Sequence, residues 1–332
     1  MDTKRGDRGQ GGSFEKGYNG KVISKVLLTA FAALALHAEI KVGIVGTDTS
    51  HVIAFTKILN DPSSPDHAPG ARIVAAYKGG SNDVESSYTR VEKYAEELRT
   101  KWKLEIVPDI ATLCTKVDAV LLESVDGRKH LPQFKELAKC GKPVFIDKPL
   151  ASTLEDAREI ARIAKQNNVA WFSTSSLRYS DAAMDLKSDK NLGAITWGPG
   201  PTEEHHYLDL SWYAIHPVEM LFTIMGPGCE EVSRVTAPLM DEVTCKWKGG
   251  RIGTVRALRP YGGYGAIAFR EKDVDQGPPR PKVNYAPMLK EVVKFFETKI
   301  PPVPNEVTME IFAFMDAAQR SKEAGGKPVK LR

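Results

Sequence analysis

The stretch KVGIVGTDTSHVIAF, Lys41 to Phe55, decides how this chain is read. IKVGIV is a short apolar run closed by Gly46, the pattern of a buried strand entering a tight turn. HVIAFTKILN then repeats apolar residues at helical spacing, with Val52, Phe55, Ile58 and Leu59 on one face. Strand, glycine turn and helix in this order open a doubly wound α/β domain. Two positions depart from the usual turn. Asp48 and His51 stand where a dinucleotide-binding turn carries its second and third glycines.

Outward from this stretch the alternation continues. ARIVAAY, LEIVPD, DAVLLES, KPVFID and VAWFSTS read as strands. Between them VESSYTRVEKYAEELRTKW, IATLCTKV, HLPQFKELAKC and STLEDAREIARIAKQNN read as helices, the last opened by Ser152, Leu154 and Glu155 with the spacing of a capping box. Six buried strands joined by helices predict a parallel sheet covered on both faces, with a ligand crevice at the carboxyl ends of the strands. The second half changes character. EEVSRVTAPLM, EVTCKWKGGRIGTVRALR and GAIAFRE predict a large, mostly antiparallel sheet built from sequence neighbours, with Gly249-Gly250 as a hairpin turn. DVDQGPPRPKVNYAP reads as a Pro-rich loop, and two helices end the chain. The expected organisation is a leader over 1–38, a dinucleotide-binding domain over 39–175 and an α+β substrate and oligomerisation domain over 176–332.

Composition narrows the class. The chain has 332 residues, a net charge of +4 and 42% apolar residues, enough to bury a core. No basic block interleaved with aromatics points to nucleic acid. Cys114, Cys140, Cys229 and Cys245 form no C-x-x-C pair, which argues against a zinc knuckle or disulfide scaffold and leaves room for one incidental bridge. Residues 1–20 are polar and Gly-rich. Lys21 and Lys25 then precede an apolar run from Val26 to Leu36, the layout of a secretory signal peptide, too short to span a bilayer. Export to the periplasm or outside is therefore expected, with a packed N-terminal helix and a cytoplasmic protein as the alternative. No later segment is apolar for long enough to be transmembrane.

The turn GTDTS frames the functional question. Gly46 permits the tight turn, and the helix N-terminus with Thr49 and Ser50 hydroxyls offers donors to an anion. Thr47 lies between them, and His51 adds positive charge when protonated. Asp48 opposes this, since a carboxylate ~4 Å from a phosphate at an effective dielectric of ~20 costs about 4 kcal/mol. Asp48 can instead turn away to cap the helix. At the end of the second strand Lys78 replaces the acid that binds a ribose, which favours a 2′-phosphate and NADP over NAD.

Further motifs, in order, resemble the Gfo/Idh/MocA family, the oxidoreductases related to glucose–fructose oxidoreductase and inositol dehydrogenase. DAVLLESVDGRKH matches a strand and loop carrying Ser124 and the downstream His130. GKPVFIDKPLA matches the family's Glu-Lys-Pro step with Asp147, Lys148 and Pro149. SLRYS places Arg178 and Tyr179, and WYAIHPVEMLFTIMG places His216 and Glu219. The resemblance implies NAD or NADP as cofactor, with the residues from Gly46 to His51, Lys78, Ser124, His130, Asp147 and Lys148 around it. It implies Lys148 beside the nicotinamide and His216 as general acid/base, with hydride moving to or from a sugar or polyol carbon. Trp212 stands where the family often has an aspartate four residues before the histidine, so Asp209 or Glu219 would have to supply that carboxylate. The dense stretch PTEEHHYLD suggests a polar sugar-binding rim holding His206 and Asp209, with Arg178, Tyr179, Trp212 and Glu219 completing the substrate site; no metal ligand set is assigned. A homo-oligomer through the C-terminal sheet is expected. Two other functions fit the same motifs: a sugar-binding member that has lost redox chemistry, and a glycosidase-like enzyme with tightly held NAD. The leader favours the former, because nicotinamide cofactors are scarce outside the cytoplasm and no twin arginine precedes the apolar run.

Overall fold

In the computed structural model, which describes residues 39–332, the first strand is β1, Ile40–Val45, and it leads through Gly46 into α1, His51–Asn60. The leader expected over residues 21–38 lies outside the described residues. Gly46 has φ +95°, and a Cβ there would collide with the Ser124 backbone, so glycine is required where two strand ends meet. Val52, Phe55, Ile58 and Leu59 are buried, the face read from their spacing.

The sheet continues with β2 (Ala71–Tyr77), β3 (Glu105–Val107), β4 (Ala119–Leu122), β5 (Val144–Ile146) and β6 (Trp171–Ser173). All pairings are parallel and the spatial order is β3-β2-β1-β4-β5-β6, the doubly wound order with its switch point between β1 and β4. The helices between strands are α2 (Glu85–Tyr88), α3 (Val91–Thr100), α4 (Ile110–Cys114), α5 (His130–Ala138) and α6 (Leu154–Gln166). Two local expectations need correction. The single charged helix expected after β2 is broken into α2 and α3, where Thr47 Oγ1 donates to the Val91 carbonyl and the chain bends to lie over the turn after β1. The cap of α6 is Thr153, whose side chain accepts from Asp156 N–H, rather than Ser152.

A 3₁₀ turn at Ser176–Tyr179 and α7 (Asp181–Met184) lead to β7, Gly193–Pro199, a strand that the sequence reading missed. Then come α8 (Asp209–Trp212), α9 (Ile215–Met225), β8 (Cys229–Ala237), β9 (Met240–Trp247), β10 (Ile252–Leu258), β11 (Gly265–Phe269) and β12 (Val274–Gln276). The chain ends with α10 (Ala286–Thr298), α11 (Asn305–Glu323) and β13 (Val329–Lys330). The seven-stranded second sheet runs β12-β11-β7-β10-β9-β8-β13, antiparallel except where β10 pairs with β7. The missed strand is therefore central: its glycines and proline hid the alternation, and its partners lie far away in sequence. Within the expected Pro-rich loop, Val274–Gln276 adds a short edge strand.

Helix α9 is buried along its whole length against β7, β10 and β11 of the second sheet, while α10 returns to the first sheet and packs Leu289, Val292 and Phe295 with Val42, Ile44 and Phe55. Both expected sheets are present, and the fold is the α/β type read from the sequence. All four cysteines are paired, as Cys114–Cys140 and Cys229–Cys245, one bridge more than the sequence suggested.

Candidate active site

The carboxyl ends of β1, β4 and β5 converge at the switch point, and each delivers a side chain. After β1 come Thr49, Ser50 and His51; after β4, Glu123 to Asp126; after β5, Asp147 and Lys148. Across from them α9 presents His216. A cavity of about 560 Å³ lies between, lined by Thr49, Ser50, His51, Lys148, Trp212 and His216. Ser86 and Arg90 reach it from the α2–α3 segment, and Tyr213, Tyr261, Tyr264 and Tyr285 form apolar walls around it. Lys148 and His216 thus face one cleft.

The environment of His216 is specific. Ser175 Oγ lies 2.6 Å from His216 Nδ1, and the same oxygen accepts the Leu177 N–H at 3.1 Å. That oxygen has a second lone pair to take Nδ1–H, the tautomer that leaves the Nε2 lone pair free to accept a proton. Burial holds the imidazole well below its ordinary pKa, helped by the charges of Lys148 and His51, so it is neutral at pH 7. Tyr213 and Tyr264 stand edge-on to the ring at centroid distances of 5.4 and 5.9 Å. The carboxylate partner sought in Asp209 or Glu219 is neither; a serine does that work.

On the opposite floor His51 Nδ1 sits 2.7 Å from Asp147 Oδ2, and its ring stacks on Phe55 and meets the edge of Tyr285. Burial would raise Asp147, yet His51 and Lys148 hold it below the usual carboxylate range. Glu123 beside it is the reverse case. Burial and the nearby Asp147 push its carboxyl well above the ordinary value, with Lys148 only partly opposing them.

Several expected site residues lie elsewhere or face away. Asp48 does not cap α1, whose N-cap Ser50 makes no side-chain cap bond. Its carboxylate accepts from Ser87 Oγ at 2.6 Å and from Val125 N–H at 3.2 Å, joining the turns after β1 and β4. Thr47 is turned inward onto the Lys78 and Val91 carbonyls. Lys78 pairs with Glu92 at 2.7 Å, so its charge is already matched. Ser124 packs under Gly46, and His130 bonds the Ser124 and Leu150 carbonyls, pinning two turns together behind the cleft. Arg178 and Glu219 form a buried ion pair, and Arg178 and Tyr179 line a second cavity of about 330 Å³ instead. Asp209 receives Arg234 and Lys322 on the far side of α8.

His206 donates to a hub instead of rimming the cleft. Buried Asp126 meets Ser81 Oγ, the Arg128 guanidinium and His206 Nε2 at 3.0 Å. Burial would raise this carboxyl, yet these hydrogen bonds hold it far below the carboxylate range. The sequence did not single out Glu123, Asp126, Ser175, Tyr213 or Tyr264. Only the polar Glu-Ser pair closing the apolar run AVLL hinted at Glu123.

The inner and outer parts of the crevice differ in how they would receive a dinucleotide. The inner part, from Thr49 and Ser50 to Lys148, is open and lined by hydroxyls and an amine, which suits a ribose and a nicotinamide. The outer part is occupied by the chain itself. Gly79 lies against Gly46, Ser87 binds Asp48, and Thr47 and Asp48 are fully buried.

Residues 40–175 match the family model described as oxidoreductase family, NAD-binding Rossmann fold, of the Gfo/Idh/MocA group. The resemblance read from the motifs is borne out by this match, which covers the first of the two sheets. Among curated relatives, YceM of Salmonella typhimurium is 30% identical over 87 residues, or 26% of this chain. An uncharacterised oxidoreductase of Streptococcus pneumoniae is 30% identical over 104 residues, or 31% of this chain. The matched part spans 28% of the length of each. Among solved structures, myo-inositol dehydrogenase from Lactobacillus casei, in complex with NAD(H) and myo-inositol, superposes with TM-score 0.69 at 18% identity, covering 88% of this chain and 97% of that one. The apo scyllo-inositol dehydrogenase of the same organism gives 0.70 at 14% identity, covering 89% and 99%. These two likenesses establish the fold.

Proposed function

We propose that the chain is an NAD(P)-dependent oxidoreductase acting on the CH–OH group of a sugar or polyol. The observation that carries this is Lys148 and His216, from different parts of the fold, on one cleft at the switch point of an NAD-binding domain. Neutral His216 takes the proton of the reacting hydroxyl, and the Lys148 ammonium donates a hydrogen bond to its oxygen as charge develops there. Trp212, Tyr213 and Tyr264 supply flat apolar faces for a sugar ring, and Ser50 and the tyrosine hydroxyls supply donors. The nicotinamide, when bound, supplies the hydride acceptor. The inositol dehydrogenases among the structural neighbours support a polyol as substrate class. The test is titration with NADH and NADPH followed by tryptophan fluorescence, then turnover over a panel of polyols. Micromolar binding of either cofactor with polyol-dependent reduction of the oxidised form is expected.

The closed outer crevice favours a second reading, a sugar-binding member without redox chemistry. Asp48 sets a carboxyl between the two turns that a diphosphate would pass, and α2 covers them. Absence of any response to either cofactor, in wild type and in Asp48→Asn, would decide for this reading.

Two further proposals concern the whole chain. Export is supported by the leader pattern and by the pairing of every cysteine, the mark of an oxidising compartment. A homo-oligomer would use the open face of the second sheet, where Ile195, Trp197, Ile267 and Phe269 are half-buried on neighbouring strands. Light scattering on wild type and Trp197→Glu tests it: a dimer or larger assembly reduced to monomer is the expected outcome.

A further inference from the structure

The floor of the cleft holds side chains that proton and hydride movement do not use. Glu123 ends β4, with its N–H on the Val45 carbonyl. Its side chain is fully buried, and neither carboxylate oxygen has a hydrogen-bond partner. Buried carboxylates are normally satisfied by donors or by a cation. No lysine or arginine pairs with Glu123 among the described residues, and Asp147 next to it already faces His51.

One ligand atom from each of His51, Glu123 and Asp147 lies within 4.8 Å of the others. Donors at ~2.1 Å around a tetrahedral ion are about 3.4 Å apart, so the widest pair closes by up to about 1.4 Å, and the His51–Asp147 pair, now at 2.7 Å, opens slightly to complete a three-ligand set. The set is held on three rigid supports, the start of α1 and the ends of β4 and β5, which limits how far it can spread. One imidazole nitrogen and two carboxylate oxygens match the borderline divalent ions, zinc and manganese among them, better than calcium or copper(I). Two carboxylates also give the charge that a dication neutralises.

We propose that His51, Glu123 and Asp147 bind one divalent transition-metal ion on the floor of the cleft. His51 also lines the cavity, so the fourth side of the ion faces the substrate space next to Lys148. An ion there takes oxygen ligands, and with Lys148 beside it the site selects a substrate with adjacent oxygens, a vicinal diol or a hydroxy acid. The proposal stands independently of cofactor binding.

The test uses the full chain stripped with chelator and titrated calorimetrically with Zn²⁺ and with Mn²⁺, with thermal unfolding and circular dichroism alongside. One ion per chain and a raised melting temperature are expected. Glu123→Gln keeps the shape but removes one charge, so it should bind at least ~10-fold more weakly, a loss that even outer partners of metal sites can cause. His51→Gln should do the same. No binding by wild type overturns the proposal and leaves Glu123 as a protonated acid, for which Glu123→Gln would be neutral or stabilising. Equal binding by wild type and a folded Glu123→Gln or His51→Gln overturns it too, since the ion then sits adventitiously on the surface.

Discussion

At the residue scale, the cleft depends on how single groups are charged. His216 is neutral because burial, reinforced by the neighbouring Lys148, disfavours its proton. Its folded pKa lies well below the ordinary 6.5, so the unfolded chain binds a proton that the folded chain refuses. The resulting penalty is absent above about pH 6.5 and grows as the pH falls toward the depressed folded value. His216→Asn should therefore lose less stability than wild type between about pH 7.5 and pH 5 in urea melts; parallel curves would refute this. His130 is lowered by burial in the same way, but it is common to both proteins and cancels in the comparison. Lys148→Met should cut turnover by about 100-fold or more, the scale of a lost oxyanion donor, while circular dichroism shows the fold retained. Asp48→Asn removes the charge between the two turns while an amide can keep both neighbours. Cofactor affinity measured by fluorescence should rise roughly tenfold or more, since the full repulsion is worth about 4 kcal/mol. That Lys148 and His216 share one cleft was legible because each sits in a local motif, DKP and HPVE, whose neighbours travel with it. Ser175 and Glu123 were not, because a serine forty-one residues from its histidine and an acid at a strand end acquire meaning only when strands are laid side by side.

At the scale of elements, the strands of the first sheet were legible because each is a short apolar run bounded by breakers. The segment from Gly79 to Val91 was not. Its charge pattern suits one amphipathic helix, and only the Thr47 and Asp48 bonds, to residues 44 and 39 positions away, explain the bend. β7 escaped for the opposite reason: Gly193, Gly198 and Pro199 look like loop, yet cross-strand Trp197 lies over Gly265 and stitches β7 to β11. Helix α6 offers a clean local test. Thr153→Ala removes the side chain that accepts from Asp156 N–H and should cost about 1 kcal/mol in a urea melt, while Ser152→Ala should not act through this cap.

At the scale of the whole molecule, the sheets are joined through α11, which packs on β6 of the first and β8 of the second, and through α10, which leaves the second half of the chain to cover the first. That return was invisible to a reading that assigned consecutive segments to consecutive domains. The bridges reinforce each region separately. Replacing Cys229 and Cys245 by serine should lower unfolding free energy by about 2–4 kcal/mol, since the bridge closes a loop between β8 and β9.

Asp126 ties together three pieces of chain that do not otherwise share an element: Ser81 before α2, Arg128 after β4, and His206 in the loop before α8. Lifting α2 from the turn after β1 strains the same carboxylate that anchors the loop leading to Trp212. Traffic at one mouth of the cleft is thereby felt at the other, so two ligands arriving from opposite sides would follow a compulsory sequence instead of a random one. Stopped-flow capture of cofactor should slow when a polyol is already seated, and His206→Ala should erase that delay.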